Sequence, residues 1–154
     1  MPVETICISP MRGGELELLD QAEVLGGAGI KGDRFCRPGN PDASEHVTLV
    51  EAEEVERFNA EHGIDLPLVA TRRNIVTRGV RLNDLVDREF MIGEARFLGI
   101  ELCEPCVSLG RYLADSGGLS RQGVVSKLSG KAGLRAAALT SGTIAVGDDV
   151  RIDS

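Results

Sequence analysis

Phe90-Met91-Ile92-Gly93-Glu94-Ala95-Arg96-Phe97-Leu98-Gly99-Ile100-Glu101-Leu102 is the stretch on which the fold class turns. It reads as two short strands broken at Gly93, rich in aromatic and aliphatic residues. The same pattern continues on both sides. Upstream, Val3 to Ser9 alternates, is rich in Ile, Val and Thr, and ends at Pro10; residues 16 to 25 form another β-like run, closed by Gly26-Gly27-Ala28-Gly29. His46 to Val50 is a short strand, and Arg72 to Thr77 a further one with basic residues at its start. Downstream, Leu134 to Leu139 and Ile144 to Ile152 read as strands joined through Ser141-Gly142, with Gly147-Asp148-Asp149 as another turn. Between them, residues 36 to 45 read as an exposed loop, 80 to 86 as a turn-rich connector and 116 to 133 as a Gly- and Ser-rich loop with a helical turn or two.

The clearest helix signal follows His46 to Val50. Thr48 and Glu51 are spaced as a capping box, Ala52, Val55 and Phe58 repeat at helical intervals, and Gly63 stands where a helix would stop. Val107 to Leu113 has spacing suited to a second, short helix. Long amphipathic crossover helices are missing, which argues against a doubly wound sheet. The expectation is a mainly β, β-rich α+β domain: a closed β-barrel with two or three short helices, occupying residues 1–154 as one domain.

The totals agree with that reading. Hydrophobic residues make up 42% of the 154 and charged residues 27%, close to the average for a globular protein. With no Trp, one Tyr and four Phe, the core has to be aliphatic, and nineteen Gly suit many tight turns. The net charge of −7 argues against binding nucleic acid or an anionic membrane. The acids concentrate in residues 44 to 66, where seven stand against the single base Arg57. Its ordinary meaning is a solvated helix face. Basic residues gather around Lys31 to Arg37, at Arg72-Arg73 and between Arg111 and Arg135, where a small anion could bind. No basic stretch followed by an apolar run opens the chain, and no run approaches the roughly 18 apolar residues of a membrane span. The expectation is a cytoplasmic protein whose Cys7, Cys36, Cys103 and Cys106 stay reduced.

Cys106 carries the strongest chemical signal. With Pro105 opening a helix, Cys106 would lie in the first turn, where unpaired N–H groups and the helix dipole favour a thiolate. The competing reading is a buried structural Cys. Cys103 and Cys106 spell C-x-x-C, but a redox motif of that kind belongs after a strand of a βαβ fold, and a structural zinc site lacks two further ligands here. His46 and His62 are isolated and read as ordinary surface or half-buried residues. Gly29-Ile30-Lys31-Gly32-Asp33-Arg34 could cradle an anion with backbone N–H groups, with Lys31 or Arg34 supplying charge; the plainer reading is a turn with a structural Asp33–Arg34 pair. Arg72-Arg73-Asn74 offers two guanidinium groups, of which a strand would aim at most one at a given site.

Taken in order, Gly29-Ile30-Lys31-Gly32-Asp33-Arg34, His46-Val47-Thr48-Leu49-Val50-Glu51, Arg72-Arg73-Asn74-Ile75-Val76, Val80-Arg81-Leu82-Asn83-Asp84-Leu85, Cys103-Glu104-Pro105-Cys106, Gly133-Leu134-Arg135-Ala136 and Gly147-Asp148 resemble the MOSC domain family, in its stand-alone bacterial form. MOSC names the C-terminal domain of molybdenum-cofactor sulfurases. The resemblance covers nearly the whole chain. It implies a barrel similar to that of pyruvate kinase. It also implies a phosphorylated molybdenum–molybdopterin cofactor, with Cys106 as molybdenum ligand or sulfur carrier. Lys31, Arg34, Arg73, Asn74 and Arg135 are then the candidate cofactor contacts.

Two functions follow from the resemblance. One is a reductase component for N-oxygenated substrates, served by a separate electron-transfer protein. The other is a cofactor-handling module that holds a persulfide on Cys106 and works with a cysteine desulfurase. A third, unrelated reading is a degenerate domain kept for protein interaction, with Cys106 merely packed. Pyridoxal phosphate, also associated with the family, belongs in the sulfurases to a separate domain, and no Schiff-base Lys is marked here. The sequence departs from the family pattern at Phe35, where many relatives have His, and at Lys131-Ala132-Gly133, where Arg-Gly-Gly is usual.

Overall fold

The computed structural model describes residues 2–11, 14–37, 40–63, 65–103 and 133–152. Strands dominate: β1 (Val3–Ile8), β2 (Glu17–Leu19), β3 (Gln21–Leu25), β4 (Gly29–Ile30), β5 (Val47–Glu51), β6 (Ile75–Thr77), β7 (Glu89–Ile92), β8 (Ala95–Leu102), β9 (Leu134–Ala138), β10 (Gly142–Ala145) and β11 (Val150–Ile152). Among the described residues there is one α-helix, α1 (Ala52–His62), with 3-10 turns at Ala43–Glu45, Leu68–Thr71 and Leu82–Leu85. The mainly β expectation holds.

Eight strands form one curled sheet in the order β11-β7-β8-β9-β5-β6-β1-β2, and β10-β3-β4 form a second, three-stranded sheet. The expected closure of the barrel is corrected in one respect. The large sheet is a strongly curled half-barrel that ends at β11 and β2 instead of closing through a continuous ladder. Only an isolated bridge, Pro2 with Asp149, joins the start of β1 to the start of β11. It is supported by the Val3 N–H donating to Asp148 O (2.8 Å) and the Gly147 N–H to Val3 O (2.8 Å). The segment before β11 is a turn through Gly147, so regular pairing cannot extend along it.

Alternation along the strands aims one set of side chains at a common interior. Ile6 and Ile8 of β1, Val47 and Leu49 of β5, Ile75 of β6, Phe90 and Ile92 of β7, Ala95 and Phe97 of β8, and Leu134 and Ala136 of β9 make up most of it. Phe90 and Phe97 are cross-strand partners and stack with ring centroids 5.5 Å apart, worth about 1 kcal/mol beyond their burial. The hairpin quoted first is therefore the aromatic centre of an aliphatic core.

β5 and β6 run parallel, so a crossover has to join them, and α1 supplies it. The helix buries Ala52, Val55 and Phe58, and Ala52 clusters with Val50 and Val76 on the outer face of the sheet. Gly63 ends it in the left-handed conformation (φ 62°), as its position suggests. The capping box does not form. Glu51 is the N-cap and makes no side-chain cap bond, because Thr48 lies within β5 and its hydroxyl is engaged with Asn74.

Arg72 and Arg73 are not part of a strand either. β6 begins only at Ile75; Leu68–Thr71 is a 3-10 turn that Pro67 opens and Arg72 closes with φ 61°. The two arginines therefore leave from a turn, and strand alternation does not govern where they point. Among the described residues no helix is long and apolar enough to cross a membrane.

Candidate functional site

The end of β1 and the beginnings of β5 and β6 meet at one edge of the large sheet, where a buried polar network ties them to the loop after β4. Asn74 is its hub and is 8% exposed. Its Nδ2 donates to Cys7 O (3.1 Å) and to Asp33 Oδ1 (3.4 Å), while its Oδ1 accepts from Thr48 N (3.0 Å) and Thr48 Oγ1 (3.1 Å). Asp33, 7% exposed, accepts from Ser9 N at Oδ1 (2.8 Å) and from Phe35 N at Oδ2 (3.3 Å). A buried carboxylate and amide are tolerable because backbone and side-chain donors satisfy them. The expected Asp33–Arg34 pair is absent: Asp33 is held by N–H groups and not by the neighbouring guanidinium.

His46 extends the network and is 4% exposed, not the surface or half-buried residue expected. The Ala138 N–H donates to its Nδ1 (3.1 Å), which leaves Nε2 as the protonated nitrogen, donating to Asn40 O (3.1 Å). Asn40 in turn donates from Nδ2 to Phe35 O (3.0 Å). Asn40 is thus held from within, although the surrounding sequence reads as loop.

Arginines surround this network. Arg34 is exposed, its backbone N–H donates to Ser9 O (3.0 Å), and its guanidinium carbon lies 4.2 Å from the centre of the Phe35 ring. Phe35, the departure from the family pattern, therefore supports Arg34 as a stacking surface. Arg72 donates from Nη2 to Ser9 Oγ (3.0 Å) and Gly14 O (2.8 Å). Arg73 directly precedes Asn74, and its carbonyl accepts from the Cys7 thiol (3.0 Å). Arg135 lies opposite Thr48 across the β5–β9 pair, with Glu101 3.8 Å from its Nε. Lys31 is turned towards Glu23 (3.4 Å).

The structure thus brings Arg34, Arg73, Asn74 and Arg135 of the sequence-selected residues to one edge, and gives Lys31 and Arg135 carboxylate partners. Sequence reasoning passed over Ser9, gave Thr48 a capping role only, and chose Arg73 over its neighbour Arg72 although the Arg72-Arg73 pair was noted as a possible anion grip. A polar residue between inward-facing Val47 and Leu49 was the available signal for Thr48; for Ser9 there was none short of the folded contacts.

Two of the thiols at this edge are pushed above the ordinary thiol range. Burial, and then the nearby Asp33 carboxylate, push the Cys7 thiol up to about 11, with Arg72 opposing. Burial and Asp33 also raise Cys36. Cys103 is buried, and its N–H donates to Gly133 O (2.7 Å), joining the end of β8 to the start of β9. Gly133 has φ 115°, and a Cβ there would collide with the Leu49 carbonyl oxygen, so this crossing point requires glycine. Cys106, Lys131 and Ala132 lie outside the described residues, as does the short helix expected over 107 to 113.

The sequence profile of the MOSC domain matches residues 26–151. The chain belongs to the MOSC family. Among solved structures, this MOSC chain is similar to the YuaD protein from Bacillus subtilis, with a TM-score of 0.83, 17% identity, and 98% of this chain and 94% of that one covered. It is similar also to YiiM from Escherichia coli (TM-score 0.69, 17% identity, 100% and 70% covered) and to YiiM from Geobacillus stearothermophilus (0.71, 14%, 99% and 76%). At these identities the likeness is one of fold. A search of curated proteins gave no match.

MOSC domains are associated in general with binding of the molybdenum cofactor. The donor set suits such a group. Among the described residues no three of His, Cys, Asp and Glu converge on a metal position. Among the described residues neither Arg34 nor Arg72 has a carboxylate partner, which leaves cations for a phosphate.

Proposed function

We propose that this MOSC domain binds a phosphorylated molybdenum–pterin cofactor, with Cys106 as its protein ligand, and serves as the reducing component for an N-oxygenated substrate. The observation that supports it best is the edge at which Arg34 and Arg72, without carboxylate partners, flank a fully hydrogen-bonded Asp33–Asn74 pair. Guanidinium groups held in this way are donors for a phosphate monoester. When bound, the cofactor would supply two-electron chemistry at molybdenum, which no side chain provides. The protein's own contribution is one thiolate, the phosphate grip and access for the substrate. Electrons have to come from a separate carrier protein, and neither nucleic acid nor a membrane has a part in this reading.

Cys7 and Cys36, with their raised thiol pKa values, are unsuited to ligation at neutral pH. The ligand role falls to Cys106 by the resemblance to the MOSC family. Protein produced in a molybdenum-replete host should contain molybdenum and pterin, and Cys106→Ala should lose the metal at least tenfold, an effect on the order of that expected when a ligand sphere is impaired. Equal molybdenum in the two proteins would overturn the ligand assignment. A gain of one sulfur on Cys106 after incubation with a cysteine desulfurase, without molybdenum, would replace the reductase reading with the sulfur-carrier one.

A further inference from the structure

Ser9 is bound at every polar atom by the arginine edge or its buried support. Its N–H donates to Asp33 Oδ1 (2.8 Å), its carbonyl accepts from Arg34 N (3.0 Å), and its hydroxyl accepts from Arg72 Nη2 (3.0 Å) while donating to Met11 O (3.0 Å). One residue therefore contacts both Arg34 and Arg72, and Asp33 holds that residue from beneath. Asp33 is held in turn by Asn74, which reaches Cys7 in β1 and Thr48 in β5 as well.

Asn74 itself has little left to offer a ligand. It is buried, its amide nitrogen donates twice, and its oxygen accepts twice. An Asn engaged in this way cannot also be a strong direct contact without giving up a buried bond, at about 1–3 kcal/mol. The direct-contact role given to it from sequence therefore needs restating.

We propose that Asp33 and Asn74 are positioning residues that act through Ser9 to hold Arg34 and Arg72 together as the phosphate grip. This rests on the reading of the edge as a phosphate site. It assigns Asn74 an indirect role and adds Arg72 to the grip. Phe35 completes the device: its N–H is held by Asp33 Oδ2 (3.3 Å) and its ring lies under the Arg34 guanidinium. One carboxylate thus orders both the backbone and the stacking partner of Arg34.

The test is a coupling measurement with inorganic phosphate as the probe, read by calorimetric titration of the full chain. Asn74→Ala should weaken phosphate about fivefold, within the range of coupling between residues of one hydrogen-bond network. In an Arg34→Gln, Arg72→Gln background the same substitution should change affinity less than about twofold, because the groups it positions are gone. Thr48→Val, which removes only a hydroxyl from the network, is the milder second variant and should behave in the same direction. Arg78→Gln, at the other end of β6, should lower stability and leave phosphate affinity as it is.

An equal loss in both backgrounds would overturn the positioning role, since a direct contact does not need the arginines. So would an unchanged affinity in Asn74→Ala beside a weakened Arg34→Gln. If the unsubstituted chain binds no phosphate, the phosphate-site reading fails first and this inference with it, which separates the two failures.

Discussion

The two ends of β6 handle charge in opposite ways. Beyond its C-terminal end, Arg78 is clasped by carboxylates: its Nε meets Glu4 Oε1 at 2.5 Å and its Nη2 meets Glu56 Oε2 at 2.7 Å, tying β1 to α1 at the surface. Before its N-terminal end, Asn74 and Asp33 are buried and hydrogen-bonded, while among the described residues no carboxylate pairs with the Arg34 or Arg72 guanidinium. The first arrangement neutralises an arginine; the second orders arginines and leaves their charge available. An arginine thus means structure at one end of a three-residue strand, and two arginines a candidate ligand site at the other. What separates the two is the placement of glutamates.

The comparison can be broken by substitution. Asn74→Ala should cost the most, about 3 kcal/mol in urea unfolding, because it strands the Thr48 N–H and the Cys7 carbonyl in a buried setting. A loss below about 1 kcal/mol would mean that water replaces the amide easily. Arg78→Gln should cost less than Asn74→Ala, and its penalty should shrink at about 1 M salt, where screening acts over roughly 3 Å. A penalty indifferent to salt would show that Arg78 acts by packing and not by charge.

Acid sharpens the same contrast. The Arg78 hydrogen bond holds the Glu56 carboxyl below its ordinary 4.5. Stability from this pair is therefore complete above that value and is lost as the pH falls through the lower folded one. Glu51 runs the other way. Burial, with Glu54 and Glu53 adding to it, raises its carboxyl, so its contribution is greatest in acid and declines as the pH rises through its folded value. The stability gap between the unsubstituted chain and Arg78→Gln should close on acidification below about 4, as measured by urea midpoints across that range. The gap for Asn74→Ala should be less affected.

The smallest effect is expected at Cys7. With its thiol raised to about 11, it should resist alkylation of the native protein at pH 8 and react freely once unfolded. Mass-mapped labelling checks this, and rapid modification of native Cys7 would contradict its burial.

Much of the architecture is legible locally. The hairpin around Gly93, the run of β1 and the helix ending at Gly63 follow from alternation, β-branching and a left-handed glycine, all properties of neighbouring residues. The errors arise where a local signal met a distant partner. The Thr48–Glu51 spacing suggests a cap, but Asn74, 26 positions away, takes the hydroxyl. The Arg72 to Thr77 run suggests a strand, but the turn from Leu68 to Thr71 claims its first residues. His46 looks isolated because its partners are Asn40 and Ala138, the latter 92 positions away.

By itself, then, the sequence determined most of the strands, the aliphatic core and the MOSC family, since each is encoded in short-range pattern or in motifs met in order. Only the tertiary structure decided that the large sheet curls without closing, that Asn74 is spent inside the protein, and which arginines keep their charge available. The last two outcomes depend on hydrogen bonds spanning 24, 41 and 67 positions of chain. Such bonds exist only after burial has brought their donors and acceptors together and removed the water that would otherwise satisfy them.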